Sequence, residues 1–334
     1  MKRIAVIGFL LFALTLQGQD LHLTQFYASP LYLNPALTGA NAASRVSTSY
    51  RNQWGALPGS FNSFLVSFDH YIHEMRSGVG IILLKDAAGS MRLGTTSLGF
   101  TYAFDYKITH NWSAAIGIKA GYSARSLDHS RLVFGDQLVR DAETSVQLPF
   151  LEKVSYFDFT SGVVFFNKET WFGFSVNHMN KPIESFLPKT AYLPGTVSLH
   201  GGKNIYMEKG GSGRVSLKPY FMLAANYRYQ AEFDQFDIGL YLKQPQYFTG
   251  IWYRGIPVFK RYAPGYPNND AIAILLGGVY KQGTLSYSYD FTISQLSGRT
   301  GGSHEISATY YMSNPRKSKK VKKKVMPCTD MFSQ

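Results

Sequence analysis

The residues best suited to chemistry stand near the end of the chain, in HEISATYYM, residues 304–312. His304 beside Glu305 would serve a metal site or a general acid–base pair. A zinc-protease helix needs HEXXH, so that two histidines one turn apart face the same ion, and residue 308 is Ala. The alternation over 304–313 predicts a strand instead, in which His304 and Glu305 project to opposite faces. His70 and His73 are three apart, but they fall where another predicted strand ends, and no carboxylates at ligand spacing accompany them. GXSXG, a phosphate-cradling glycine loop and CXXC are absent. The glycine pairs at 201–202, 210–211, 277–278 and 301–302 read as bends or close backbone approaches in strands and turns. The sequence therefore nominates no catalytic residue, no metal ligand and no cofactor site. An enzyme whose residues converge from distant strands stays open as an alternative.

The elements that would position any site are strands. In SLGFTYAFDYKI, Leu98, Phe100, Tyr102, Phe104, Tyr106 and Ile108 alternate with Gly99, Thr101, Ala103, Asp105 and Lys107. After a short turn at Thr109–Asn111 the pattern returns in NWSAAIGIKAGYSAR, which predicts a hairpin. Each arm is longer than the usual strand of a soluble sheet and suits a tilted strand crossing hydrocarbon. One face is bulky and apolar and the other small and polar, as in a membrane barrel whose bulky face meets lipid. Extended along the chain, the alternation gives fourteen strands, at 45–54, 61–70, 78–85, 95–107, 111–124, 155–166, 170–178, 195–205, 214–229, 235–243, 246–254, 270–280, 284–293 and 304–313. The long connections, Arg125–Val154, Asn180–Gly195 and Gly255–Asn269, follow odd-numbered strands, and those after even-numbered strands are short. That asymmetry is expected of an outer-membrane barrel with both termini in the periplasm. Pro219 falls inside the ninth predicted strand, where it would require a bulge.

Lys2 and Arg3 precede the apolar run Ile4–Leu16, which ends at Gln17-Gly18; this reads as a secretory signal peptide, 1–18, cleaved before Gln19. The single cysteine, Cys328, excludes an internal disulfide and leaves a tail thiol that either pairs with another chain or stays reduced. Of the formal charge of +13, two units lie in Lys2 and Arg3 and seven in Arg316, Lys317, Lys319, Lys320, Lys322, Lys323 and Lys324. The basicity is mostly a tail, so the folded part is not expected to bind nucleic acid. The expected organisation is a signal peptide, an N-terminal periplasmic or plug segment at 19–44, a transmembrane antiparallel β-barrel at 45–313 and a basic periplasmic tail at 314–334. The tail is either a solvated end or an arm that docks on an acidic periplasmic partner or anionic headgroups.

Seven stretches resemble the PorP/SprF family of outer-membrane proteins of the type IX secretion system of Bacteroidetes. They are QFYASPLYLNPALTG (Gln25–Gly39), YRNQW (Tyr50–Trp54), SFD (Ser67–Asp69), FGDQ (Phe134–Gln137), FGFSVNHMNKP (Phe172–Pro182), WYRG (Trp252–Gly255) and YSYDFTISQLSGRTGGSHEIS (Tyr287–Ser307). The positions that carry the resemblance include Gln25, Phe26, Pro30, Asn34, Pro35, Trp54, Asp136, Asn177, His178, Pro182, Arg254, Asp290, His304 and Glu305. The resemblance implies a non-enzymatic barrel working with the secretion and gliding machinery, paired with a secreted adhesin-like client whose export or surface retention it supports. It also implies a periplasmic partner among the type IX components, and no catalytic residue or cofactor. The alternative function is a passive, porin-like solute channel, since a lumen of fourteen strands is wide enough unless something plugs it.

Overall fold

The computed structural model describes residues 20–41, 43–89, 93–128, 135–141, 153–186, 191–207, 219–256, 261–263, 266–312 and 327. Sixteen strands occur in this part of the chain. They are β1 (Ser44–Gln53), β2 (Phe61–Ile72), β3 (Ser77–Ala88), β4 (Leu93–Lys107), β5 (Ser113–Ser126), β6 (Lys153–Phe166), β7 (Thr170–Asn177) and β8 (Thr196–Tyr206), then β9 (Tyr220–Gln230), β10 (Phe233–Lys243), β11 (Tyr247–Gly255), β12 (Arg261–Ala263), β13 (Tyr266–Pro267), β14 (Asn269–Tyr280), β15 (Gly283–Thr292) and β16 (Ser303–Met312). Fourteen of them close into an antiparallel barrel, and β12 with β13 form a separate two-stranded sheet within the β11–β14 connection. The barrel closes where β1 meets β16, with Ser44 opposite Met312 and Gln53 opposite Ser303. All fourteen predicted strands are present, with ends displaced by a few residues.

The wall shows which solvent each face meets. On β4 the bulky set points outward, with Phe100 62% exposed, while Thr101 and Ala103 between them are buried. On β5, Ile116 and Ile118 point outward and Gly117 inward. Large apolar side chains recur on the outer face of the barrel strands, with Tyr50 alone exposed on β1. A belt of this extent is stable only against hydrocarbon, so the chain is a transmembrane β-barrel. No described helix is long and apolar enough to cross a membrane.

Two expectations need correction. Pro219 lies before β9, which begins at Tyr220, so the strand spares its ladder the missing donor and needs no bulge there. The β8–β9 connection, 207–219, is correspondingly longer than the even-numbered turns were expected to be. The other connections at that end remain tight: 73–76, 108–112, 167–169, 244–246 and 281–282. The opposite, loop-bearing end carries the long connections after β5, β7 and β11. The register shift among the barrel pairs is at Arg254/Gly255 on β11, facing β14.

Candidate functional site

The interior is the site, and the chain fills it with its own N-terminal segment. Asp20 lies at the loop-bearing end, against the tops of β7, β8 and β9. From there the segment runs down the lumen to Asn41, beside the rim where β1 starts. From Leu23 to Asn41 every residue except Tyr32 is buried. Short helical turns at Phe26–Ala28, Pro30–Leu33 and Pro35–Leu37 shorten the path, and proline opens the last two, where its missing N–H costs nothing.

At the upper level the segment is held by charge. The Glu305 carboxylate accepts the backbone N–H groups of Thr24 (2.8 Å) and Gln25 (3.0 Å). Arg51 donates to Glu305 (3.1 Å), to Asp290 (2.8 Å) and to the Thr24 hydroxyl (2.8 Å), which itself donates to Asp290. Arg254 bridges Asp237 (2.9 Å) and Asp290 (3.1 Å). The Gln25 amide donates to Ser288 and accepts from Ser286 (2.6 Å). Asp237 also accepts from His22 Nε2 (2.9 Å). Burial, then the Arg254 charge, push His22 down to about 4 against the pull of Asp237, so its ring is neutral at pH 7.

Nearer the opening, His178 is clamped between two carboxylates, at 2.8 Å from Asp158 and 3.0 Å from Asp20. Its backbone is left-handed (φ 54°), a conformation uncommon for a residue with a Cβ, at the point where the chain leaves β7. Burial alone would lower His178, but the Asp20 charge and the hydrogen bond to Asp158 raise it to about 9, making it an imidazolium. Burial would raise Asp20 in turn, but the His178 charge and hydrogen bond, the Arg228 charge and the Thr196 hydrogen bond together outweigh it and hold the carboxyl well below the usual range. Asp20 also accepts from Thr196 (2.7 Å), and its N–H donates to Gln230.

At mid-lumen the fit is steric. Asn34 caps its own turn, accepting from Ala36 N–H (2.9 Å), while its amide donates to the carbonyls of Val163 and Phe174 and meets His200 Nε2 at 3.1 Å. A Cβ on Gly162 would fall 2.1 Å from Asn34 Oδ1, and one on Gly117 would fall 2.2 Å from Ala36 N. The wall carries glycine here because the segment lies directly against it, with its backbone at Gly117 and with the Asn34 side chain at Gly162. On the other side, Phe26 packs edge-on against Trp252 and Tyr27 against Tyr241, at ring distances of 5.1 and 5.2 Å. Among Phe26, Leu33, Leu37, Trp171 and Met222 a void of only about 10 Å³ is left, the room of a single water. Lower down, Gly39 N–H donates to Asp69, which Arg45 binds through two nitrogens.

Of the positions singled out in the sequence, Gln25, Phe26, Pro30, Asn34, Pro35, Arg254, Asp290 and Glu305 meet in the lumen, and Asn177 and His178 join them at its upper end. Trp54 caps β1 against Phe61 at the same end. Pro182 lies in the β7–β8 connection, its carbonyl accepting from Leu193 N–H. Asp136 stands apart, in the helix Gly135–Arg140, paired with Arg140. His304 faces outward, bound to the Tyr287 hydroxyl (2.8 Å), on the opposite side of β16 from Glu305. Among the described residues no group of histidine, cysteine and carboxylates could hold a metal ion. The seven tail cations Arg316, Lys317, Lys319, Lys320, Lys322, Lys323 and Lys324 lie outside the described residues.

Sequence reading missed Asp20, His22, Thr24, Arg51, Asp158, His200 and Asp237. Arg51 stands inside YRNQW, but a strand arginine gives no sign of the acid it will meet across the barrel. It also missed the large inward residues Trp171, Tyr241, Phe248 and Trp252, because the polar, small face was expected to continue all round the lumen.

Comparison with solved structures finds other membrane barrels at low identity. The toluene transporter TbuX of Ralstonia pickettii aligns at TM-score 0.49 and 10% identity, over 86% of this chain and 94% of that one. A Pseudomonas aeruginosa FadL homologue aligns at 0.46 and 12%, over 85% and 94%. The Acinetobacter baumannii outer membrane protein Omp33 aligns at 0.42 and 8%, over 82% and 100%. Comparison with curated proteins finds no match. Residues 15–310 match the family described as type IX secretion system membrane protein PorP/SprF. That match takes in the buried segment and all but the last two residues of the barrel wall that encloses it, and the chain accordingly belongs to the PorP/SprF family of type IX secretion system outer-membrane barrels.

Proposed function

We propose that the protein is a non-enzymatic, closed outer-membrane component of the type IX machinery that supports the export or surface anchoring of a secreted, adhesin-like client. The observation that carries this reading is the filled lumen. A passive solute channel needs a continuous wet path, and residues 23–41 occupy that path with side chains bonded to the wall on nearly every side. The acids and bases gathered there are spent on one another and on the segment's backbone, as in a structural anchor rather than a reaction centre. In this reading the loop-bearing end faces outward and meets the client, while the tight turns and both termini of the barrel face the periplasm. The lysine-rich tail docks there on a periplasmic component of the system.

Planar-bilayer recording of the purified protein tests the closed reading. The expected result is no steady conductance; sustained porin-like conductance would replace this function with a solute channel. Replacing the seven tail cations by glutamine should reduce recovery of the periplasmic partner while barrel assembly is unchanged.

A further inference from the structure

Among the described residues, the upper part of β6 leaves strand backbone unpaired beside an interior cavity. On its β5 side, β6 is paired up to Lys153, opposite Ser126. On its β7 side the ladder stops at Ser161, opposite Val176. The next groups are met by a loop: Met179 N–H donates to Phe159 O (3.0 Å), and the Asn180 side chain accepts from Phe159 N–H (3.2 Å) and donates to Phe157 O (2.7 Å). Asn180 thus stands in for one residue of a missing strand. Beyond it, from Lys153 to Phe157, no described strand pairs with this edge. Because backbone groups alternate sides with a period of two, the Phe157 N–H and both groups of Ser155 point to the same side as Phe159.

Directly inside this edge lies a cavity of about 420 Å³ above the N-terminal segment. Tyr156 and Asp158 of β6 form one wall of it, and Leu21 and Tyr32 lie at its floor. Gly121 on β5, opposite Asp158, and Gly99 on β4, opposite Gly121, recess the wall beside them. A Cβ on Gly121 would meet nothing nearer than 3.4 Å. On β3, Asp86 also faces the cavity. It accepts from Ser63 and feels the Arg125 charge, but makes no direct ion pair among the described residues, because Arg125 is bonded to Glu184.

We infer that the upper edge of β6 receives an extended polypeptide segment by strand addition, whose alternate side chains enter this cavity, with a basic one facing Asp86. Unpaired N–H and C=O groups at two-residue spacing are matched by another backbone, which selects a polypeptide over a small solute. A carboxylate whose neighbouring cation is held by another acid favours a lysine or arginine on it. The inference rests on the reading that a polypeptide client engages the loop-bearing end, and it names where and in what conformation that client binds.

The test uses the full chain in detergent and fluorescein-labelled ten-residue peptides of alternating valine and threonine, carrying either lysine or glutamate at the threonine face. Anisotropy should show the lysine peptide binding more tightly. Ser155→Pro removes an edge donor without touching the β5 ladder, and Gly121→Leu fills the recess. Each should weaken that binding about tenfold, the worth of one or two lost hydrogen bonds or a blocked pocket. Asp86→Asn should abolish the preference for lysine. Lysine-peptide binding that is the same in wild type, Ser155→Pro and Gly121→Leu overturns the proposal, as does the absence of binding to any peptide. Client co-purification separates the two readings. Recovery unchanged in both folded variants rejects this site and leaves the client reading standing; no client with wild type removes both.

Discussion

At the scale of the residue, the segment is held by polar groups that are costly to leave unmatched. Glu305 is fully buried and binds Arg51 together with two backbone N–H groups. Glu305→Ala would leave both N–H groups without an acceptor and take one of its two carboxylates from Arg51, and breaking a buried ion pair from one side costs up to about 3–5 kcal/mol. The variant should lower the urea midpoint of the refolded barrel strongly, whereas Glu184→Gln, at the rim, should do so weakly; equal effects would contradict the network. His178 gives a pH signature. Its folded pKa, about 9, exceeds its unfolded value near 6.5, so its contribution is complete below about 6.5 and disappears as pH rises through 9. Asp20 has the opposite sign, its contribution being lost as pH falls below its unfolded value near 3.8. An environment-sensitive dye on Leu21→Cys, in a Cys328→Ser background, should therefore report a buried segment at pH 6 and a loosened one above pH 9. His178→Gln should remove the alkaline transition.

At the scale of the element, strands were legible and their interior partner was not. The alternation in β4 and β5 is set by the lipid on one side, a uniform solvent, so sequence alone discloses it. What lies on the other side varies with the neighbour. Where the segment's backbone approaches, the wall has Gly117; where the Asn34 side chain presses in, it has Gly162; and where aromatic side chains point, it has Tyr241 and Trp252. On β10 both faces are bulky, Ile238 and Leu240 outside and Tyr241 inside, and periodicity does not separate a lipid-facing ring from a lumen-facing one. Many lumen contacts were hidden for the same reason, being set across the barrel by residues far apart in sequence, as with Thr24 and Asp290. Asn34 could be singled out through the resemblance, yet its role as a turn cap is visible only once Val163, Phe174 and His200 surround it. Gly117→Leu puts a side chain where Pro35 and Ala36 now lie, so it should expel the segment while leaving the ladder intact. Limited proteolysis should then cut within residues 20–41 in the variant and spare them in the parent.

At the scale of the whole molecule, lipid outside and the chain's own segment inside replace the single core of a soluble protein. Ile118 lies on the outer face at the level where Pro35–Ala36 cross the lumen. Ile118→Arg should destabilise the barrel by about 2–4 kcal/mol, the cost of a cation near the bilayer midplane, measured by reversible unfolding in lipid. The most direct test of the filled lumen uses Ser29 and Ser49, whose hydroxyl oxygens lie 2.9 Å apart, one on the segment and the other on β1. In a Cys328→Ser background, Ser29→Cys with Ser49→Cys should form a disulfide in the folded, membrane-inserted protein that closes a loop detectable by its shifted migration under non-reducing conditions. Two free thiols in the folded protein, both open to alkylation, would contradict a segment lodged in the barrel.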